Sequence, residues 1–69
     1  MNEAIKSKIL DSIKGNKRGM LISEISRSTG FNKITVKKYL LTLSHKGLVK
    51  ATDITETRKL WYENKAVQL

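Results

Sequence analysis

Two helical segments with a glycine between them occupy residues 22–49, whose sequence is ISEISRSTGFNKITVKKYLLTLSHKGLV. Ser23 has the side chain of a good N-cap and predicts a short helix over about residues 23–29. Ile25 faces inward in that helix, and Gly30 ends it, because glycine adopts the left-handed conformation that closes many helices. The first part of the stretch therefore predicts a helix of roughly two turns followed by a tight turn.

The second part of the stretch predicts a longer helix over about residues 33–46. Asn32 is its N-cap, and Gly47 closes it. At 100° per residue one stripe of this helix is apolar, and it consists of Val36, Leu40 and Leu43, with Tyr39 at its edge. The opposite face carries Ile34, Lys37, Lys38, Leu41 and His45. We expect the first stripe to face the core and the second face to lie in solvent or against a partner.

The flanking segments complete the predicted fold. Asn2 caps a first helix over about residues 2–14, and the apolar run 20–22 predicts a short extended pairing segment. Over residues 48–64 the pattern changes to period two, which predicts two strands around a polar turn, and residues 65–69 form a short tail. Three helices followed by a two-stranded hairpin, within one α+β domain of 69 residues, predict a winged helix-turn-helix.

Composition excludes several classes of function. The chain has no cysteine and one histidine, His45, so neither thiolate nor imidazole metal sites are expected. Its carboxylates have no convergent partner, and it has no phosphate-binding or dinucleotide-binding glycine motif. It also has no apolar run long enough for a membrane span or a signal peptide. We therefore expect a cytoplasmic protein that is not an enzyme and needs no cofactor.

Positive charge is concentrated in the middle of the chain. The net charge is +8, and residues 17–50 hold eight lysines and arginines against one acidic residue, Glu24. A surface that serves only solubility would mix the two signs and spread them along the chain. The middle of the chain therefore predicts binding to an acidic polymer or an anionic surface.

Parts of the chain resemble a known family. Residues 22–31 look like the second helix and turn of winged regulators of the ArsR and MarR type, and residues 35–40, Leu43 and residues 47–49 look like their recognition helix and its exit into the wing. The resemblance covers roughly residues 20–62. Leu21 stands where the family often has a capping serine or threonine. The resemblance implies a DNA-binding transcription regulator whose third helix enters the major groove, usually as a symmetric dimer. The parts that sense small-molecule effectors in the family have no counterpart here.

The long helix carries most of the predicted contacts with double-stranded DNA. No acidic residue lies between Glu24 and Asp53, so its lysines have no partner at i,i+4 and suit phosphates and guanine edges. Asn32 suits adenine as well as its cap, and an exposed Ile34 suits a thymine methyl group. The short helix, the preceding basic turn and the wing add further cations. The predicted contact residues are Lys17, Arg18, Arg27, Asn32, Lys33, Ile34, Thr35, Lys37, Lys38, Arg58 and Lys59.

Three functions remain open at this point. The first is a sequence-specific regulator that binds a near-palindromic site as a homodimer, with the first helix or the tail as the interface. The second is an architectural protein that binds duplex DNA by charge alone. The third is a protein–protein interaction module, for which Ile34 and Leu41 would form the apolar contact patch.

Overall fold

The computed structural model describes residues 2–56 and 58–64. The elements in chain order are helices α1 (Glu3–Lys14), α2 (Ile22–Thr29) and α3 (Lys33–His45), then strands β1 (Val49–Asp53) and β2 (Lys59–Glu63). The strands pair antiparallel, with Ala51 opposite Trp61 at the centre of the hairpin. This architecture confirms the predicted winged helix-turn-helix. The predicted tail, residues 65–69, lies outside the described residues. None of the helices in the described part is long and apolar enough to cross a membrane.

Asparagine side chains start two of the helices, as predicted. The Oδ1 atom of Asn2 accepts hydrogen bonds from the backbone N–H groups of Ala4 and Ile5, at 2.9 and 3.3 Å. The Oδ1 atom of Asn32 accepts one from the backbone N–H of Thr35, at 2.8 Å. Each bond satisfies an N–H group that has no partner inside its helix, so both starting points are explained by the local sequence.

The start of α2 differs from the prediction. Ser23 is not the N-cap, because the helix already begins at Ile22 and Leu21 occupies the cap position. The Glu24 carboxylate accepts a hydrogen bond from the Leu21 backbone N–H at 2.9 Å. This is the glutamate half of a capping box, and it allows a residue without a polar side chain to precede the helix. Ser23 therefore lies within the first turn.

The core lies where the three helices meet the hairpin. Helix α1 packs against both other helices and against β2, and α3 packs against α2 and β1. The buried apolar side chains are those of Ile9, Ile13, Met20, Ile25, Val36, Leu40, Leu43, Val49 and Trp61. The apolar stripe predicted for α3 is among them, so the opposite face of α3 is turned outward.

A short β-bridge ties the connection between α1 and α2 to the wing. The backbone N–H of Met20 donates to the Trp61 carbonyl, and the N–H of Trp61 donates to the Met20 carbonyl, both at 2.9 Å. The extended pairing segment predicted at residues 20–22 is confirmed at Met20 only, because Leu21 is the N-cap of α2 and Ile22 is its first residue. Because Trp61 is itself a core residue, the bridge holds the base of the wing against the helices.

Candidate nucleic-acid interface

An open groove of about 370 Å³ lies between the start of α2, the first two turns of α3 and the wing. It is lined by Leu21, Ile22, Ser23, Lys33, Ile34, Lys37, Arg58 and Lys59. Five of these residues, namely Lys33, Ile34, Lys37, Arg58 and Lys59, were predicted as contact residues. They come from two parts of the chain that are distant in sequence, so the fold brings together five of the eleven predicted contact residues.

The groove is lined by cationic and apolar side chains. Four of its lining residues are lysine or arginine, none is acidic, and three are leucine or isoleucine. Arg58 and Lys59 reach it from the wing, at the start of β2. Such a surface suits a ligand that has negative charge on its outside and flat, partly apolar groups between the charges.

The outward face of α3 continues the groove along the helix. Ile34 is 73% exposed, and Leu41, two turns further on, is 45% exposed. Lys37 and Lys38 are exposed between them. Within residues 2–56 and 58–64 no basic residue of α3 takes part in an ion pair. These lysines are therefore available to an external anion.

The ion pair found among the described residues lies elsewhere, on α1. Lys6 Nζ is 3.0 Å from Glu3 Oε2. A hydrogen bond from Lys6 and its positive charge lower the pKa of the Glu3 carboxyl group. Helix α1 thus has an ion pair in its first two turns, whereas the described contacts of α3 leave its lysines unpaired.

The N-terminus of α3 carries no carboxylate. Glu3 and Glu24 stand in the first turns of α1 and α2, but the first turn of α3 has no acidic residue. A helix N-terminus attracts anions through its free N–H groups and its dipole. The start of α3 is therefore open to an anion that the protein itself does not supply.

Two predicted contact residues at this end are engaged within the protein. The Oδ1 atom of Asn32 already accepts the N–H of Thr35, so a two-point contact with adenine would compete with the helix cap. Thr35 is half-buried and does not line the groove. Both residues fix the start of α3, and neither is among the groove residues.

The remaining predicted cations lie outside the groove. Lys17 and Arg18 are exposed in the turn after α1, where Lys17 lines a separate depression beside Tyr62 and Glu63. Arg27 lies on the exposed side of α2, next to Glu24. Lys38 is exposed on α3 but is not a lining residue. These four side chains lie around the groove and do not form its wall.

Sequence reasoning missed three groove residues, Leu21, Ile22 and Ser23. The first two were assigned to a pairing segment and Ser23 to a helix cap. A signal was present, because residue 21 is the position at which the resembled family places its capping side chain. In the structure Leu21 is the N-cap of α2, and it lines the groove together with the first two residues of that helix.

Comparison with protein-family models shows to which family this combination of helices and hairpin belongs. A model of the IclR helix-turn-helix domain matches residues 7–53, which run from α1 to the end of β1 and include both helices of the helix-turn-helix. The chain belongs to the IclR helix-turn-helix family. A search of curated proteins gave no significant match. The match confirms a winged regulator, while the finer resemblance to the ArsR and MarR types is not confirmed.

The IclR-type domain establishes the general function. It marks a sequence-specific, DNA-binding transcription regulator, so the partner is double-stranded DNA and the protein is DNA-associated within the cell. A domain of this kind points to a regulator, a class of protein that is typically not an enzyme. The polyanion predicted from the charge distribution is thereby identified as duplex DNA.

Proposed function

We propose that the protein regulates transcription by placing the N-terminal half of α3 in the major groove, with the wing beside the DNA backbone or in the adjacent minor groove. The observation that carries this proposal is the groove itself, in which four cations from α3 and the wing surround exposed Ile34. An α-helix fits the major groove of B-DNA, and phosphates border that groove on both sides.

The start of α3 supports a phosphate contact. Its first turn has no acidic residue, and it contains Lys33. Backbone N–H groups at a helix N-terminus bind phosphate, and the nearby ammonium group adds charge to the same contact. Lys37, one turn further on, is directed into the same groove and would contact a base edge or the next phosphate.

The wing supports a second, weaker contact. Arg58 and Lys59 line the groove, and an arginine beside a narrow minor groove is favoured by its negative potential. Asp53 lies opposite Lys59 in the hairpin and reduces the local positive charge. The wing therefore adds affinity and orientation, and α3 supplies most of the sequence readout.

In this proposal two copies bind a near-palindromic site, with half-sites about 34 Å apart, which is one helical turn of DNA. The core of nine buried side chains is small, which favours association with a second copy. In the described part of α1, however, none of the large apolar side chains is exposed. An interface through α1 would therefore be polar and weak, and the pairing would form mainly on the DNA.

A salt series on DNA binding tests the α3 contact. We would measure fluorescence anisotropy with a duplex selected by the wild-type protein from a random library, and with a scrambled duplex. Each phosphate contact contributes about −0.9 to the slope of log K against log salt. Lys37→Ala is expected to lower the affinity and, if Lys37 binds a phosphate, to reduce the slope by about 1. Lys14→Ala, on α1 outside the groove, is the charge-matched control and should leave affinity and slope close to the wild type.

The outcomes separate the proposal from its rivals. Tight binding to the selected duplex, together with a larger loss for Lys37→Ala than for Lys14→Ala, supports the proposed orientation. Equal loss for both variants would mean that α3 is not the contact surface. Equal affinity for selected and scrambled duplexes would favour an architectural protein, because such a protein binds by charge alone.

Sedimentation measurements test the dimer. We expect the free protein to be mainly monomeric at micromolar concentration and two copies to occupy each selected duplex. A saturated complex with one copy per duplex would contradict the dimer and the palindrome, and it would leave the α3 contact unaffected.

A further inference from the structure

The groove between α2, α3 and the wing contains an apolar patch that is exposed to water, which a need for solubility does not explain. Ile34 is the most exposed large apolar side chain in the described part of the chain, at 73%. It lines the same groove as Leu21 and Ile22, which are half-buried, so the three side chains form a small apolar patch. Its size is ordinary for a protein surface, but its place in a groove that holds four cations and no carboxylate indicates a contact site.

The surroundings of the patch identify its partner. Lys33 and Lys37 flank Ile34 on α3, and Arg58 and Lys59 face it from the wing. A protein partner would have to neutralise these cations while covering the patch. The major groove of DNA meets both requirements, because phosphates lie on either side and base edges lie between them. Among the groups that base pairs present there, the 5-methyl group of thymine is the apolar one.

We propose that Ile34 is a specificity-determining residue that packs against the 5-methyl group of one thymine in each half-site. The inference rests on the proposed function, since it requires α3 to lie in the major groove. The contact removes both apolar groups from water. A cytosine or a uracil at that position presents no methyl group, so it is bound less tightly.

Ile34 carries this role rather than the other exposed apolar residues. Leu41 shares the outward face of α3, but it does not line the groove and has no wing cation opposite it. Ile54 belongs to the turn of the wing, where its backbone N–H donates to the Arg58 carbonyl at 2.9 Å. Leu41 therefore provides a matched control on the same helix.

The test deletes single methyl groups from the DNA. In the duplex selected by the wild-type protein, each thymine is replaced in turn by deoxyuridine, which removes the 5-methyl group and leaves base pairing intact. Loss of one buried methyl group should weaken wild-type binding about fourfold per half-site, and at one thymine position only. Ile34→Ala should bind the thymine and deoxyuridine duplexes equally. Leu41→Ala should retain the wild-type ratio, and Ile34→Val should retain part of it.

The results distinguish failure of this inference from failure of the proposed function. Equal wild-type affinity for all deoxyuridine duplexes, or a selected site without thymine, would overturn the role of Ile34 and leave DNA binding by α3 in place. The same holds if Ile34→Ala still distinguishes thymine from deoxyuridine. Absence of binding to every duplex at low salt would overturn the proposed function itself. Circular dichroism of the variants shows that they fold, which the high exposure of Ile34 leads us to expect.

Discussion

Gly19 cannot be replaced without strain, because of its backbone conformation and because another side chain lies close to it. Its φ is +85°, and a Cβ atom there would lie 2.7 Å from Cε2 of Tyr62. The residue stands between the turn after α1 and the bridge at Met20, so the chain passes against the Tyr62 ring on its way to α2. Only a residue without a side chain combines this conformation with this close approach.

Comparing Gly30→Ala with Gly19→Ala separates the cost of the left-handed backbone conformation from the cost of the close approach to the Tyr62 ring. Gly30 has φ +81°, but a Cβ atom there would have open space for 4 Å around it, so Gly30→Ala should cost only the left-handed conformation, about 1–2 kcal/mol. Gly19→Ala should destabilise the protein more, because the Tyr62 ring must also move. Urea denaturation measures both values. In a Tyr62→Ala background the excess cost at Gly19 should disappear, and equal costs in the wild-type background would contradict this explanation.

Trp61 has a buried indole group whose Nε1–H finds no hydrogen-bond acceptor among the described residues. An unsatisfied buried donor costs about 1–3 kcal/mol. Trp61→Phe removes this donor together with part of the ring, so its cost should be clearly smaller than the roughly 3–5 kcal/mol expected for Trp61→Ala. Thermal and urea unfolding of both variants would measure the difference. Similar losses for the two would show that the indole N–H is satisfied in solution.

At the scale of the element, the start of α3 serves stability through its cap and, in the proposed complex, also serves DNA binding. Asn32→Asp preserves the cap, and it also places a negative charge at a helix N-terminus that has none. We expect an unchanged or slightly increased unfolding free energy, by about 0.3–1 kcal/mol, together with weaker DNA binding, because the carboxylate repels phosphate.

The control for this prediction is the equivalent change in α1. Asn2→Asp should stabilise the protein less, because Glu3 already stands in the first turn of α1, and should have little effect on DNA affinity, because Asn2 caps a helix that does not line the groove. Urea denaturation and anisotropy would be measured for both variants. If Asn32→Asp binds DNA as tightly as the wild type, the start of α3 does not lie near phosphate.

Local sequence signals predicted most of the elements but less of their arrangement. Asn32 and Gly30 act over a few residues, so the order of helices could be inferred from the sequence. The start of α2 could not, because the hydrogen bond at its cap is donated by the Leu21 backbone N–H, a group that does not depend on the side chain, and is accepted by the Glu24 carboxylate. The groove depends on placing Lys59 beside Lys33, which is a tertiary property. Because the prediction of contact residues relied on charge, it included Lys17 and Arg18, which do not line the groove, together with the cations that do.

At the scale of the whole molecule, excess charge acts on stability and on binding in opposite directions. The net charge is +8, and one ion pair, Glu3–Lys6, is present in the described part of the chain. Repulsion among the cations opposes the folded state, and sodium chloride screens it. The unfolding free energy should therefore rise by a fraction of a kcal/mol between 50 and 300 mM salt.

Over the same salt range DNA affinity should fall steeply, since counterion release drives binding. Urea denaturation and anisotropy in matched buffers would test the pair of trends. If stability also fell with salt, the cations would have to be paired in solution in a way that the structure does not show. Opposite trends would mean that DNA acts as the counter-charge that the folded protein lacks.

The bridge between Met20 and Trp61 has a consequence for synthesis of the chain. The residues of α3 that we propose to contact DNA leave the ribosome before β2 does, yet the core beneath α3 is incomplete until Trp61 arrives. Small domains fold as cooperative units, so α3 is not stably packed until β2 has joined the core. A nascent chain therefore gains the ability to recognise DNA only after β2 has left the ribosome and joined the core.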